Sequence, residues 1–136
     1  MDAVRNFFKN DRFADHVGIE LLEVSEGRAK AKMKIKEHHL NGVNIAHGGA
    51  IFSLADLVFA VASNSHGTVA LSINVSISYL KASVAGQILT AEAKEVSLNP
   101  KLATYEVRVT DETDDIIAIF LGTVYKKKDK IEAILT

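Results

Sequence analysis

The clearest pattern in the chain is a strict alternation of apolar and basic side chains in GRAKAKMKIK, residues 27–36. A period of two residues is typical of a β-strand with one face in the core and the other in solvent. SEGR, at the start of this segment, suits the turn of a hairpin. The pattern from His16 to Glu37 therefore predicts strands joined by a turn. Ala29, Ala31, Met33 and Ile35 form the apolar face, and Lys30, Lys32, Lys34 and Lys36 form the solvated one.

After Gly67 the pattern predicts strands to the end of the chain. The segments are TVALSINVSISYL, QILTAEAKEVS, LATYEVRVT and IIAIFLGTVYKK, with turns at Gly86, LNPK and DETDD. We expect the tail KKKDKIEAILT to be a solvated end. In the first strand, strict alternation predicts one apolar face, with Leu71, Ile73, Val75, Ile77 and Tyr79, and one polar face, with Ser72, Asn74, Ser76 and Ser78.

Two segments predict helices instead. AVRNFFKNDRFA, residues 3–14, brings three phenylalanines together and predicts one short amphipathic helix. HGGAIFSLADLVFAVA opens a longer helix, from about Gly49 to Asn64, in which nearly every side chain is apolar. Because a helix that is apolar all round has no face suited to water, we expect this one to be buried all round.

Together these elements predict an α+β fold. The continuous hairpins after the long helix argue against a parallel α/β sheet. The simplest arrangement is a curved antiparallel sheet of five or six strands wrapped around one long central apolar helix, plus a short N-terminal helix. A chain of 136 residues can bury one core, so we expect a single domain over residues 1–136.

Composition narrows the classes of partner and compartment. A net charge of −1 gives no general attraction to nucleic acid or anionic membranes. The N-terminal segment is charged throughout, and the apolar run at 50–62 is shorter than the about 20 residues that span a bilayer. There is no cysteine, and no spacing of the five histidines resembles a zinc site. We expect a cytoplasmic protein with no nucleic-acid, membrane or metal partner.

One acidic residue, Asp56, lies in the middle of the long apolar helix. An unpaired buried carboxylate is costly, so Asp56 is either structural, capping a loop or pairing with a lysine, or catalytic at the floor of a pocket. The helix start favours the second interpretation. Gly48 and Gly49 allow close approach of a ligand, and the first amides of a helix are unpaired and partly positive. An amide that polarises a carbonyl and a carboxylate are the minimum for acyl transfer.

The spacing of these groups predicts an oligomer. Gly48 and Asp56 are eight residues apart, so along one helix they lie roughly 12 Å from each other. A single carbonyl group cannot touch both. If they act on the same bond, they belong to two helices of a homodimer, with two symmetric sites at the interface.

The segment LNGVNIAHGGAIFSLADLVFAVAS, residues 40–63, resembles the hotdog-fold acyl-CoA thioesterases, and specifically their PaaI-like branch. The shared pattern is Asn41, then His47-Gly48-Gly49, then Asp56 in an apolar helix, and the following strands match in order and length. The resemblance implies hydrolysis of an aromatic or medium-chain acyl-CoA to the free acid and CoA. CoA thioester is then the substrate, and no cofactor is expected.

The resemblance also implies roles for individual residues. Asp56 would be the general base or nucleophile, and the Gly48 N–H of the other subunit would polarise the thioester carbonyl. Asn41 would hold the attacking water or the carbonyl, and His47 would steady the loop. Ser72 would lie near the nucleophilic water. The expected contacts to CoA are Gly49, Asn74, Lys81 and Lys101, the two lysines near its phosphates. The family usually pairs dimers, which implies a homotetramer.

Two other functions are compatible with the same fold. One is a module that binds or senses acyl-CoA without cleaving it, since a fold alone does not fix a function. The full set of Asn41, HGG and Asp56 argues against a sensor, which has no use for the carboxylate. The other is a hydratase or dehydratase, which usually needs a catalytic His with an Asp in a different loop arrangement.

Overall fold

The structure is a computed structural model that describes residues 1–134 of the chain. It consists of a six-stranded antiparallel sheet, one long helix packed on it, and short helices near both ends of the described range. In chain order the elements are α1 (Asp2–Phe8), α2 (Arg12–Val17), β1 (Ile19–Ser25), β2 (Arg28–Lys34), a 3-10 turn (Glu37–His39), α3 (Gly48–Asn64), β3 (Thr68–Tyr79), β4 (Ile88–Leu98), β5 (Leu102–Thr110), β6 (Ile116–Lys130) and α4 (Ile131–Ile134).

The strand order is β1-β2-β4-β5-β6-β3, so β1 and β3 are the two edges of the sheet. The α3 helix packs against all six strands, and the core lies between this helix and one face of the sheet. The predicted hotdog arrangement of a curved antiparallel sheet around a central apolar helix is confirmed. Among residues 1–134, no helix combines the length and hydropathy that crossing a bilayer requires.

Aromatic rings fill the middle of the core. Phe59 of α3 lies against Phe120 of β6 and Tyr105 of β5, with ring centroids 5.3 and 6.0 Å apart. Gly122 faces the same rings, and a Cβ at this position would lie 2.6 Å from Cζ of Phe59. Because real Cβ contacts are never this short, glycine is required here for the helix to approach β6.

Both ends of the chain differ from the prediction. The N-terminal segment forms two helices, because the Asp11 side chain accepts a hydrogen bond from the Ala14 N–H at 2.9 Å and so caps a new helix. At the other end, residues 127–130 of the predicted solvated tail are exposed, but they belong to a strand and are not a loose end. The β6 strand continues to Lys130, and Ile131 is buried, with its N–H donating to the Gly67 carbonyl at 3.0 Å. Residues 135–136 of that tail lie outside the described range.

The β3 strand does not keep the strict alternation that its sequence predicts. Ser72 pairs with Val124 and Asn74 pairs with Thr123, so Ile73 is an extra residue without a partner on β6. This arrangement is a β-bulge, which shifts the facing of every side chain on one side of it. The predicted common apolar face was therefore wrong.

The bulge changes which β3 residues face the helix. Val75 and Ile77 pack on the core, whereas Leu71 is 50% exposed and Ile73 is 58% exposed. Residues directly opposite each other in a sheet share a face. Ser72 therefore lies on the α3 side with buried Val124, and Asn74 lies on the outer face of the sheet.

Candidate active site

The loop that leads into α3 is held by the side chain of Asn41. Its Oδ1 accepts hydrogen bonds from the N–H groups of Val43 at 3.0 Å and Ile45 at 3.3 Å. Asn44 completes the loop with φ 62°, in the left-handed region that asparagine tolerates. Because the oxygen of Asn41 is occupied, its amide nitrogen is the group that remains available, and this group can donate to a carbonyl.

The first turn of α3 leaves one amide free. His47 is the N-cap, and its Nδ1 accepts the Gly49 N–H at 2.8 Å. The next two amides, of Ala50 and Ile51, donate to the His47 carbonyl. Within the described part of the chain the Gly48 N–H has no acceptor. Gly48, at the partly positive end of a 17-residue helix, is thus the available donor for a carbonyl oxygen.

Two cavities flank this helix start. One, of about 340 Å³, is lined by Asn41, Gly48, Tyr79 and Lys81 among others, so three of the predicted residues come together there. The second, of about 260 Å³, lies between α2 and α3 and includes His47 and Gly49. A larger groove of about 620 Å³ on the outer face of the sheet contains charged side chains and none of the predicted residues.

The α3 helix is not buried all round in this chain, contrary to the prediction. Gly49, Ser53, Asp56 and Ala60 recur at helical spacing and are all partly or fully exposed. Asp56 thus lies on an open stripe of small residues. The sequence did not reveal this stripe because glycine, serine and alanine resemble core residues in an apolar run.

The Asp56 carboxylate is half-buried, and among residues 1–134 it has no hydrogen-bond or ion-pair partner. Burial raises the pKa of this carboxyl above its ordinary value, and the negative charge of Asp11 at the start of α2 raises it further. An unpaired carboxylate with a raised pKa is a better proton acceptor than an ordinary aspartate. The alternative of a structural Asp56, bonded to a loop or lysine, finds no partner among the described residues.

The other predicted residues are dispersed. Ser72 lies on the α3 side of β3, whereas Asn74 lies on the opposite face of the sheet. Lys81 follows β3 and forms ion pairs with Asp111, at 3.2 Å, and Asp115. Lys101 lies at the other end of the sheet. It precedes Leu102, which is aligned with Leu71 across β6, and it is therefore separated from Lys81 by roughly 25 Å along β3. One chain therefore cannot bring the two lysines to the same phosphate.

No three His, Asp or Glu side chains within residues 1–134 are placed to hold a metal ion. The chain instead supplies a free helix amide with an amide side chain beside it, and an unpaired carboxylate about 12 Å further along the same helix. These are the groups that stabilise a developing oxyanion and accept a proton. This set of groups is compatible with an enzyme that transfers or hydrolyses acyl groups.

Comparison with known proteins gives the family. The model of the thioesterase superfamily matches residues 43–118. A putative esterase of Archaeoglobus fulgidus is 52% identical over 127 residues, 93% of this chain and 82% of that protein. Acyl-coenzyme A thioesterase PaaI of Escherichia coli is 33% identical over 119 residues, 88% of this chain and 85% of PaaI.

Solved structures agree with these matches. The structure of E. coli PaaI superposes with a TM-score of 0.92 at 30% identity, covering 95% of this chain and 94% of PaaI. A Streptococcus mutans protein solved with acetyl CoA has a TM-score of 0.80 at 25% identity, covering 83% and 91%. The chain therefore belongs to the thioesterase superfamily, as a hotdog-fold thioesterase of the PaaI-like kind.

Proposed function

We propose that this thioesterase hydrolyses the CoA thioester of an aromatic or medium-chain acyl group to the free acid and CoA. The observation that carries the proposal is the free Gly48 amide beside Asn41, on the same helix as the unpaired Asp56 carboxylate. The relatives support the substrate class, since PaaI is named an acyl-coenzyme A thioesterase and the S. mutans protein binds acetyl CoA.

In the proposed reaction the thioester carbonyl oxygen accepts a hydrogen bond from the Gly48 amide of one protomer. The partner's Asp56 either takes a proton from the attacking water or attacks the carbonyl carbon, and in the second route water then opens the resulting anhydride. In both routes the carbon–sulfur bond breaks and CoA leaves as a thiolate that takes up a proton. The free amide nitrogen of Asn41 supplies a second donor near the carbonyl, His47 steadies the loop, and no cofactor takes part.

The proposed homodimer is supported by two features of the chain. Gly48 and Asp56 are separated by about 12 Å along α3, too far to act on one carbonyl. The β3 strand has 12 residues and a free edge, and long exposed edges with apolar side chains such as Leu71 and Ile73 favour pairing with another strand. Pairing of two β3 edges would bring the two α3 helices side by side.

The proposed pairing of dimers into a tetramer is supported by an apolar patch on the outer face of the sheet. Leu71, Tyr125 and Leu102 are neighbours across β3, β6 and β5, and each is between 39% and 50% exposed. Leu121, also on the outer face of β6, extends the patch. Exposed apolar clusters of this kind mark interaction surfaces.

The cavity of about 260 Å³ between α2 and α3 suits the acyl group. Its walls include the apolar side chains of Phe13, Leu40 and Ala50, and it adjoins Gly49 on the exposed stripe of α3. Phe13 is 64% exposed, so its ring is accessible to a ligand in this cavity. Lys101, which has no ion-pair partner in the described range, is the better of the two lysine candidates for the CoA phosphates. The lack of cysteine fits a cytoplasmic location.

A free-thiol release assay with purified protein tests this function directly. The panel contains acetyl-CoA, medium-chain acyl-CoAs and phenylacetyl-CoA, with an oxygen ester of the same acid as a control for general esterase activity. We expect thiol release, fastest with the aromatic or medium-chain thioesters. Binding of acyl-CoA without thiol release across the panel would contradict the proposal and favour a sensor.

A further inference from the structure

The last residue of β3, Tyr79, contacts the first residue of α3. The Tyr79 hydroxyl donates a hydrogen bond to the Gly48 carbonyl at 3.0 Å. The ring lies against the Gly48 Cα, because a Cβ built there would be 3.1 Å from Cζ of Tyr79 and 3.2 Å from its hydroxyl oxygen. The two residues are 31 positions apart, so this contact is a product of the fold.

Two side chains hold the peptide group that joins Gly48 to Gly49. The His47 ring accepts the N–H of this peptide at 2.8 Å, and the Tyr79 hydroxyl donates to its carbonyl at 3.0 Å. The Gly48 N–H belongs to the preceding peptide, whose carbonyl accepts two amides of the first turn of α3. The Tyr79 ring lies against the Gly48 Cα, which joins the two peptides. Tyr79 therefore limits rotation about the bond between the Gly48 nitrogen and its Cα.

We propose that Tyr79 is a positioning residue that fixes the direction of the Gly48 amide toward the thioester carbonyl. The inference rests on the proposed function, since it assigns Tyr79 a part in the use of Gly48. Hydrogen bonds to a developing oxyanion are effective only when the donor is already aimed, because the angle of the bond decides its strength. Tyr79 also lines the cavity of Asn41, Gly48 and Lys81, so its ring forms one wall beside the reacting group.

The two variants to compare are Tyr79→Phe and the control Ser25→Ala. The first removes the hydroxyl and keeps the ring wall, whereas the second removes an exposed hydroxyl from β1, at the edge of the sheet opposite β3. We expect Tyr79→Phe to lower kcat about 3- to 10-fold with KM within about twofold, since the donor is misaimed but present. Tyr79→Ala, which also removes the ring, is expected to lower kcat further. Ser25→Ala is expected to leave both constants unchanged.

A second readout does not depend on turnover. The chain has eight glycines, so selective 15N-glycine labelling gives a small set of amide signals. In Tyr79→Phe we expect the Gly48 and Gly49 signals to shift and their amide hydrogens to exchange faster. Ser25→Ala is the control and is expected to leave both signals in place.

The two readouts separate failure of the inference from failure of the function. Unchanged glycine signals in Tyr79→Phe overturn the inference, because the hydroxyl then does not hold Gly48. Shifted signals with an unchanged kcat also overturn it, because the contact then has no effect on catalysis. If the unmodified protein releases no thiol from any acyl-CoA, the proposed function fails and the positioning role fails with it, whatever the glycine signals show.

Discussion

Replacement of Asp56 by asparagine separates its chemical role from its structural one. Asparagine keeps the size and shape of the side chain and removes its ability to accept a proton or to attack a carbonyl. A general base or nucleophile contributes about 10²- to 10⁴-fold to a reaction, so we expect Asp56→Asn to lower kcat at least about a hundredfold, which is roughly 2.7 kcal/mol of barrier.

The same substitution is expected to leave the fold at least as stable. Burial, and then Asp11, raises the pKa of Asp56 in the folded chain. When the pKa of an acid is higher in the folded chain than in the unfolded chain, its ionisation opposes folding once the pH rises above the pKa of the unfolded chain. At neutral pH the uncharged asparagine removes this cost, and no hydrogen bond to Asp56 among the described residues is lost.

Thiol-release kinetics and thermal unfolding at one fixed protein concentration measure both effects. Asp15→Asn is the matched control, because Asp15 is an exposed aspartate of α2 without a side-chain partner in the described range. A variant with kcat within tenfold of the unmodified protein would remove Asp56 from the mechanism. A melting temperature lower by several degrees would show that the carboxylate supports the fold instead.

Two further predictions concern the charge beside Asp56 and the packing under α3. Asp11→Asn keeps the side-chain oxygen that caps α2 and removes a negative charge that raises the pKa of Asp56. The acid limb of the pH profile of kcat/KM should therefore move to lower pH. An unmoved acid limb would refute the effect of Asp11 on Asp56. Gly122→Ala places a Cβ 2.6 Å from the Phe59 ring, and the overpacking should cost about 1–3 kcal/mol in a chemical-denaturation experiment. Gly42→Ala, in open space, should cost little, and equal losses in the two alanine variants would contradict the packing argument.

The sequence pattern predicted the elements well where alternation reports on a single buried face. In β2 the residues Ala29, Ala31 and Met33 are buried as their spacing indicates. In β3 the same reasoning failed, because a bulge at Ile73 leaves no trace in an alternating pattern. Pattern alone assigns faces only when the strand pairing is regular.

The candidate site was predictable as a set of residue types but not as an arrangement. The sequence identified Asn41, Gly48 and Asp56 from their spacing and their resemblance to a family pattern. It did not show that His47 occupies the Gly49 amide and leaves Gly48 free, since this depends on a rotamer. Nor did it show that Tyr79 covers Gly48, since contacts between residues far apart in sequence exist only once the chain is folded.

Each proposed site combines the Gly48 amide of one protomer with the Asp56 carboxylate of the other. Two inactivated chains test it: Asp56→Asn, and Gly48→Pro, which removes the N–H at the first helical position, where proline is tolerated. The half-exposed Tyr79 ring has room to yield to the added Cβ. Each chain alone should form an inactive homodimer with unchanged secondary structure.

The deciding measurement is the turnover of the mixed dimer, isolated after co-expression of the two chains with different affinity tags. Its two sites differ: one joins an intact Gly48 to an intact Asp56, and the other has lost both groups. We expect about half of the unmodified kcat per dimer. A mixed dimer as inactive as its two parents would contradict it, because the two groups would then act within a single chain or not together at all.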